Sequence, residues 1–297
     1  MQYLSFLILL CTTVIAQSLE PRLYSNAPVG MNFLLAGYIF TKGSLPDSQK
    51  LDLRDADLNV HTGVFAYARV IELFGQSGKI DMIVPSGCIN GDGIYKEEKV
   101  SRNVCGIGDI KGRMSFNFYG APALSLHEFA NYEQDLIIGG SLQITIPSGK
   151  YEETRLVNIG LNRWALKPSL GISKTFNKMT VELVGDVEFY GDNDEFYGGV
   201  KREQDPIFST QAHFIYAFSN GIWLGLDANY YWGGENSINA VASNDEIEDS
   251  RYGATLAIPI DKKHSIKLYG DSGINMETGT DFDRIGIAWQ YRFGAGL

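Results

Sequence analysis

No internal stretch of this 297-residue chain is apolar for long enough to make a membrane-crossing helix, which needs roughly 20 residues. That excludes a helical bundle in a membrane. It does not exclude a barrel, because strands that alternate apolar and polar residues average to neutral hydropathy. The mean hydropathy of −0.09 fits such averaging. Basic residues are short: 25 Lys and Arg stand against 35 Asp and Glu, a net charge of −10. Phosphate binding needs a basic face, so nucleic acid is not an expected partner. Three cysteines are too few for a disulfide-dense scaffold. The four histidines (His61, His127, His213 and His264) match no metal-ligand spacing, so no metal and no organic cofactor is expected. No linker, composition break or fixed-period repeat divides residues 17–297, which predicts one domain.

Alternation is what the chain has in abundance. From Asp205 to Gly234 two runs switch polarity residue by residue. Phe208, Thr210, Ala212, Phe214, Tyr216 and Phe218 share one face, with Ser209, Gln211 and His213 opposite. Ile222, Leu224, Leu226, Ala228, Tyr230 and Trp232 share the next, with Gly225, Asp227, Asn229 and Tyr231 opposite. Period two is strand, because successive side chains point to opposite faces. Asn220-Gly221 between the runs predicts a hairpin with a type I′ turn. Two long strands with one greasy face and aromatic ends predict a transmembrane hairpin.

The same pattern recurs over Met31–Phe40, Asp57–Phe74, Lys79–Pro85, Asp109–Tyr119, Asp135–Ile146 and Arg163–Thr175. It continues over Met179–Tyr190, Arg251–Ile260, Ser265–Ile274 and Phe282–Phe293. Pro168 cannot donate to a ladder, so a distortion is expected there. Tight connections near 76, 177, 220 and 262 alternate with long polar ones near 48, 96, 155, 197, 242 and 277. Gly120–Glu133 takes the remaining short-side place, with a short helix expected over Leu126–Tyr132 because Ser125 and Glu128 have capping-box spacing. Such parity predicts an all-β fold: a single transmembrane antiparallel β-barrel of about 12 strands, with one short periplasmic helix.

Residues 1–16 read as a secretory signal peptide, with an apolar core from Leu4 to Ala16 and small residues before Gln17, although Met1-Gln2-Tyr3 lacks a basic residue. Gln17–Gly30, with Pro21 and Pro28, is expected to be irregular. Ser86–Gly106 reads as a polar loop carrying Cys88 and Cys105. In an exported chain these two can form a disulfide; two free thiols is the alternative.

In each strand the aliphatic and aromatic face is assigned to lipid and the polar face to the lumen. The lumen candidates on the first strands are His61, Tyr67, Arg69 and Arg113, joined by Lys79 and Asp81. The middle strands add Lys167, Glu182, Asp186, Glu188, His213, Trp223, Asp227, Asn229 and Tyr231. The last strands add Arg251, Lys267, Tyr269, Asp271, Arg284 and Arg292. Both charge signs occur, so strong ion selectivity is not expected. Inward rings (Tyr67, Tyr119, Trp223, Tyr231, Tyr269) suit either a small organic solute or the filling of a narrow barrel. The acidic groups Asp192, Asp194, Glu195, Glu203, Asp205 and Asp245, Glu246, Glu248, Asp249 read as solvated loops, with calcium the less favoured alternative.

Several stretches resemble a family of predicted outer-membrane transporters associated with the meta-pathway of phenol degradation. They are Phe118–Leu126 (FYGAPALSL), Asn162–Lys174 (NRWALKPSLGISK), Arg202–Pro206 (REQDP), Ser265–Tyr269 (SIKLY) and Ala288–Leu297 (AWQYRFGAGL). The resemblance implies a barrel in the bacterial outer membrane that takes up aromatic or hydrophobic compounds. The expected surroundings are outer-membrane lipid and lipopolysaccharide, with the barrel-assembly machinery and a small-molecule solute as partners. Two rivals stand beside this reading. One is a closed barrel that binds lipopolysaccharide or proteins through its loops. The other, ranked lowest, is an outer-membrane hydrolase using Ser219, which turn chemistry already explains; the expectation is that the chain is not an enzyme.

Overall fold

A computed structural model describes residues 19–45, 53–95, 97–275 and 281–297. The expected signal peptide, residues 1–16, lies outside the described residues. In chain order the first strands are β1 (Met31–Leu45), β2 (Leu53–Leu73), β3 (Gln76–Tyr95), β4 (Glu98–Ile107) and β5 (Ile110–Tyr119). One helical turn, α1 (Leu126–Phe129), follows. Next come β6 (Leu136–Ile146), β7 (Ala165–Phe176), β8 (Met179–Tyr190), β9 (Asn193–Phe196) and β10 (Val200–Gln204). The remainder are β11 (Ile207–Ala217), β12 (Trp223–Gly233), β13 (Asn236–Ile238), β14 (Val241–Ala242), β15 (Ile247–Pro259), β16 (His264–Asn275) and β17 (Asp281–Gly294).

Twelve of these strands close on themselves. The ladder runs β1-β2-β3-β5-β6-β7-β8-β11-β12-β15-β16-β17 and back to β1, antiparallel throughout. Closure leaves no strand edge unpaired around the wall. One end of the barrel carries the tight turns and the other the long connections; these are called below the turn end and the loop end.

Turn chemistry follows the residues. Phe74 (φ 51°) and Gly75 (φ 76°) form a two-residue loop in the left-handed region, as a type I′ turn requires. The turn of β2–β3 thus centres on Phe74-Gly75, at the tight connection expected near 76. At the β11–β12 hairpin only Gly221 is left-handed (φ 82°). Phe218 N–H donates to Ile222 O at 2.8 Å and Gly221 N–H to Phe218 O at 3.1 Å. That is a three-residue loop closed by glycine, not the predicted two-residue type I′ turn. Pro168 keeps its partner Leu142 on β6, but the β7–β8 ladder has no pairing at Lys167 and Pro168 and resumes in the same register at Ser169. The expected distortion is therefore a local gap in the ladder. Ser125 and Glu128 make both bonds of the capping box on α1, which spans four residues, not the seven predicted.

Two segments expected to be loops are strand. β3 and β2, at 20 and 21 residues, outrun their neighbours and project past the loop end. β4 pairs with this extension, so most of the predicted cysteine loop is a hairpin with Cys88 opposite Cys105 and a disulfide between them. The two acidic connections form a second sheet in the order β14-β13-β10-β9 over the loop end.

Candidate functional site

Directly opposed residues in a ladder share a face, so register fixes what points inward. Asp81 opposes Arg113, Arg113 opposes Gln143, and Gln143 opposes Lys167. Glu182 opposes His213, and His213 opposes Asp227. Asn229 opposes Arg251, and Asp271 opposes Arg284. Each of these lies on the inner face. Trp223, Asp186, Tyr231, Lys267 and Tyr269 share that face by the same registers. Arg292 has inward parity but reaches the turn-end rim, where its Nε donates to Lys262 O.

Three candidates lie on the other face. His61, Tyr67 and Arg69 alternate with Phe65, which is 50% exposed, and His61 packs on the outward Tyr38 and Phe40 rings. The reason is the register with β3. Ala68 opposes Asp81 and Val70 opposes Lys79. Asp81 must enter to meet Arg113, at 3.0 Å, so the aliphatic set Val60, Val64, Ala66, Ala68 and Val70 enters with it. Tyr119 also leaves the lumen. A register shift between Asn117 and Tyr119 places Tyr119, itself 59% exposed, beside the outward Ile138. One extra residue inverts every side chain beyond it.

Most inner polar groups are paired within the lumen, while Asp81 Oδ1, Ser115 Oγ and His213 Nε2 are buried without a hydrogen-bond partner. Lys167 lies 3.4 Å from Asp186, and Asp186 also accepts from Ser209 at 3.2 Å. His213 Nδ1 meets Asp227 Oδ1 at 2.7 Å, and Thr255 donates to Asp227 Oδ2 at 3.1 Å. Asp271 sits between Arg251 (2.6 Å) and Arg284 (2.9 Å). Tyr231 donates to Asp249 Oδ2. Buried charges need such partners, since an unpaired one costs several kcal/mol.

The segment expected to be merely irregular, from Leu19 to Gly30, lies inside the barrel. Tyr24 is 1% exposed, packed with Ala121, Ile137 and Val184. It fits because β6 and β7 offer Gly139 and Gly171 below it; a β-carbon at Gly171 would stand 2.2 Å from the ring. Arg22 N–H donates to Glu182 Oε2 at 2.6 Å, and Glu182 Oε1 accepts from Ser173 at 2.9 Å. Glu20 pairs with Arg113, and its N–H donates to Gln211 Oε1 at 3.3 Å. The Arg22 guanidinium lies 5.5 Å over the Trp223 ring. At the turn end Val29 N–H donates to Leu124 O and Gly30 N–H to Val70 O. No local signal in the sequence reveals this insertion. Only the unused polar acceptors on facing strands hint at it, and they cannot be seen before the barrel closes.

At the loop end Arg163 and Arg202 are buried together. Arg163 bonds Gln204 and stacks 4.4 Å over Tyr190, while Arg202 Nε donates to Asn236 Oδ1 at 2.8 Å. Burial, then the neighbouring Arg163, pushes the Arg202 pKa down to about 9. The acidic candidates beside them have structural partners. Lys201 bonds Asp192 at 2.7 Å and Glu203 at 3.0 Å, contacts that raise the lysine's pKa. Asp245 accepts from Asn236 N–H at 2.7 Å. Among the described residues no group of His, Cys, Asp and Glu is arranged to hold a metal ion. Ser219 accepts from Lys178 Nζ at 2.9 Å at the turn end. Six residues separate it from His213, about 20 Å along a strand, so the two do not form a nucleophile and base.

A closed up-and-down antiparallel barrel, polar within and greasy without, with its own N-terminal segment threaded inside, is the class that fold and site define. Residues 47–291 match the model of the family described as "Putative MetA-pathway of phenol degradation", and the chain belongs to that family. Among solved structures it is similar to an outer membrane channel of Pseudomonas putida F1. The TM-score is 0.78 at 22% identity, covering 93% of this chain and all of that one. It is also similar to the transport unit of the autotransporter AIDA-I from Escherichia coli. There the TM-score is 0.52 at 10% identity, over 91% of this chain and 92% of that one. A search of curated proteins finds no match.

Proposed function

We propose that this chain is an outer-membrane channel for small apolar or aromatic compounds, exported by residues 1–16, with its tight turns in the periplasm and its loops outside. The observation that carries the reading is the outer belt. On β11 and the residue after it, Phe208 and Phe218 mark two aromatic rings of the belt, ten residues apart. At about 3.3 Å per residue and a tilt of about 40°, they stand about 25 Å apart in height, the thickness of the apolar band of outer-membrane barrels. Phe208 stacks with Trp232 at the upper ring, and Tyr216 packs on Phe218 at the lower. Between them Phe214 and Leu226 are 45% and 56% exposed, a cost in water that lipid removes. Outer-membrane lipid, lipopolysaccharide and the assembly machinery are its surroundings, and no covalent chemistry is assigned to it. The inserted N-terminal segment also favours a second reading, a closed barrel that acts through its loop-end sheet.

Conductance in planar bilayers separates the two. A channel conducts, and phenol added to one side alters the current. No conductance from either the native chain or one lacking residues 19–27 overturns the channel reading and leaves the closed barrel.

A further inference from the structure

The inserted segment does not fill the barrel evenly. It is fixed to β5 through Arg113, to β8 through Glu182, to β11 through Gln211, to β6 and β7 through Tyr24, to β12 through Trp223, and to the turn-end part of β3 through Lys79, whose Nζ donates to Leu23 O at 2.5 Å. Several inner-face residues there are covered, while Ser141, Lys167 and Ser169 stay half-buried. Gln143, Ser173, Glu182, Gln211 and His213 are at most 8% exposed. On the remaining wall β1, β2 and the part of β3 beyond Lys79 and Asp81 present an aliphatic inner face. Leu35, Ile39, Val64, Ala66 and Ile83 share that face by register, and each stays half-buried, open to the interior. At the loop end the same stripe runs into the apolar cluster of Val60, Ile89, Ile159 and Phe282, which is covered. Toward the turn end it reaches Val70, also covered.

We infer that solute travels along this aliphatic crescent between the inserted segment and β1–β3, not along the charged wall, and that the crescent admits an uncharged apolar body. The inference rests on the channel reading and deepens it. The physical reason is desolvation. A charged or strongly hydrogen-bonding solute leaving water finds no partner on Val64, Ala66 or Ile83 to replace its hydration, whereas apolar surface is stabilised by leaving water. Space also remains on the charged wall beside Glu20 and Leu23, lined by Arg113, Lys167 and Asp186, but an apolar body entering there would strip water from charged groups without replacing their contacts. Specificity therefore lies in side-chain bulk on β1–β3, and Ala66 is the position where added volume narrows the passage most, being the smallest of the five.

Uptake of the uncharged fluorescent probe 1-N-phenylnaphthylamine by intact cells tests this. The native chain raises uptake above that of cells without it; Ala66→Trp returns it to that level; Gln143→Ala leaves it unchanged. Native-chain uptake at the background level sinks the channel reading itself. Raised uptake that survives Ala66→Trp, or is lost in Gln143→Ala, sinks the crescent alone. Cysteine labelling decides the geometry if the tryptophan variant does not fold. Ala66→Cys should react with a water-soluble maleimide in the folded barrel, and Ser173→Cys should not. An unreactive Ala66→Cys, or equal reaction at both positions, overturns the inference whatever the uptake result.

Discussion

Tyr24 and Gly171 meet so closely that a β-carbon on the glycine would stand 2.2 Å from Cε2 of the tyrosine ring. The contact joins a segment outside the barrel's ladder to the wall of β7. Gly139 on β6 has the same relation to Tyr24, at 2.6 Å. Two glycines on adjacent strands thus form a seat for one aromatic side chain. Gly171→Val is predicted to expel Tyr24, and Tyr24→Ala to weaken docking of the segment by about 3 kcal/mol, the usual cost of truncating a large buried ring. Both variants should show a larger single-channel conductance than the native chain. Native conductance in both would mean that the segment stays in place without this contact.

Asp271 carries two arginines. Its carboxylate holds Arg251 and Arg284 on neighbouring strands, all three side chains at most 10% exposed. Asp271→Ala is predicted to destabilise the barrel by about 3–5 kcal/mol, because it leaves two buried cations without their carboxylate. The temperature at which the folded band is lost on unheated gels should fall. It should recover in part when Arg251 and Arg284 are also changed to Met. An unchanged transition in Asp271→Ala would show that other groups or water hold the two cations.

The β15–β16 turn depends on pH through Asp261. This exposed carboxylate accepts from Lys263 N–H at 2.6 Å and His264 N–H at 2.8 Å, and those bonds hold its pKa below the ordinary carboxylate value. A lowered folded pKa stabilises the turn above the unfolded value of about 3.9 and is lost as pH falls through the lowered one. Hydrogen-exchange protection factors of the Lys263 and His264 amides should therefore be constant near neutrality and fall only below about pH 4. Asp261→Asn keeps an acceptor without a titration, so its protection should not change with pH. A fall near neutrality, or one that persists in Asp261→Asn, would assign the effect to another group.

The disulfide pins the projecting hairpin. Cys88 and Cys105 are cross-strand partners 17 residues apart. Closing a loop of that size limits the unfolded ensemble by about 3 kcal/mol in the chain-entropy model. Mass spectrometry of the unreduced protein should recover the two cysteines in one linked fragment pair. Reduction should increase protease cutting between β3 and β4 and leave the barrel strands resistant. Free thiols in protein taken from native membranes would refute the pairing.

The most legible parts of the sequence were those whose cause is local. Period-two alternation from Phe208 to Trp232 needs nothing beyond the pleat, and the structure pairs these strands residue for residue. The capping box on Ser125 and Glu128 spans three positions and formed as read. The inner charges of β5, β7, β8, β11, β12 and β15–β17 were legible because each lies opposite a plainly greasy face. β2 was not. Both of its faces carry apolar side chains, and alternation says only that two faces differ, not which one turns inward. That choice belongs to Asp81 and Lys79 on the next strand, through a register that the β2 sequence does not contain. Tyr119 failed for a related reason: a single bulge is invisible in a pattern and inverts whatever follows it.

By itself, then, the sequence determined the twelve strands of the wall, turn parity and the closed barrel, because these follow from side-chain spacing and backbone hydrogen bonding along short stretches. Tertiary structure alone decided what occupies the lumen. Glu20, Arg22 and Tyr24 look like any polar, irregular lead-in until Arg113, Glu182 and the two glycines stand around them. Those partners lie 93, 160 and, for Gly171, 147 residues away along the chain. Contacts at such separations exist only once the barrel has closed, so the position of the segment, and with it the open aliphatic crescent on β1–β3, is a property of the folded molecule.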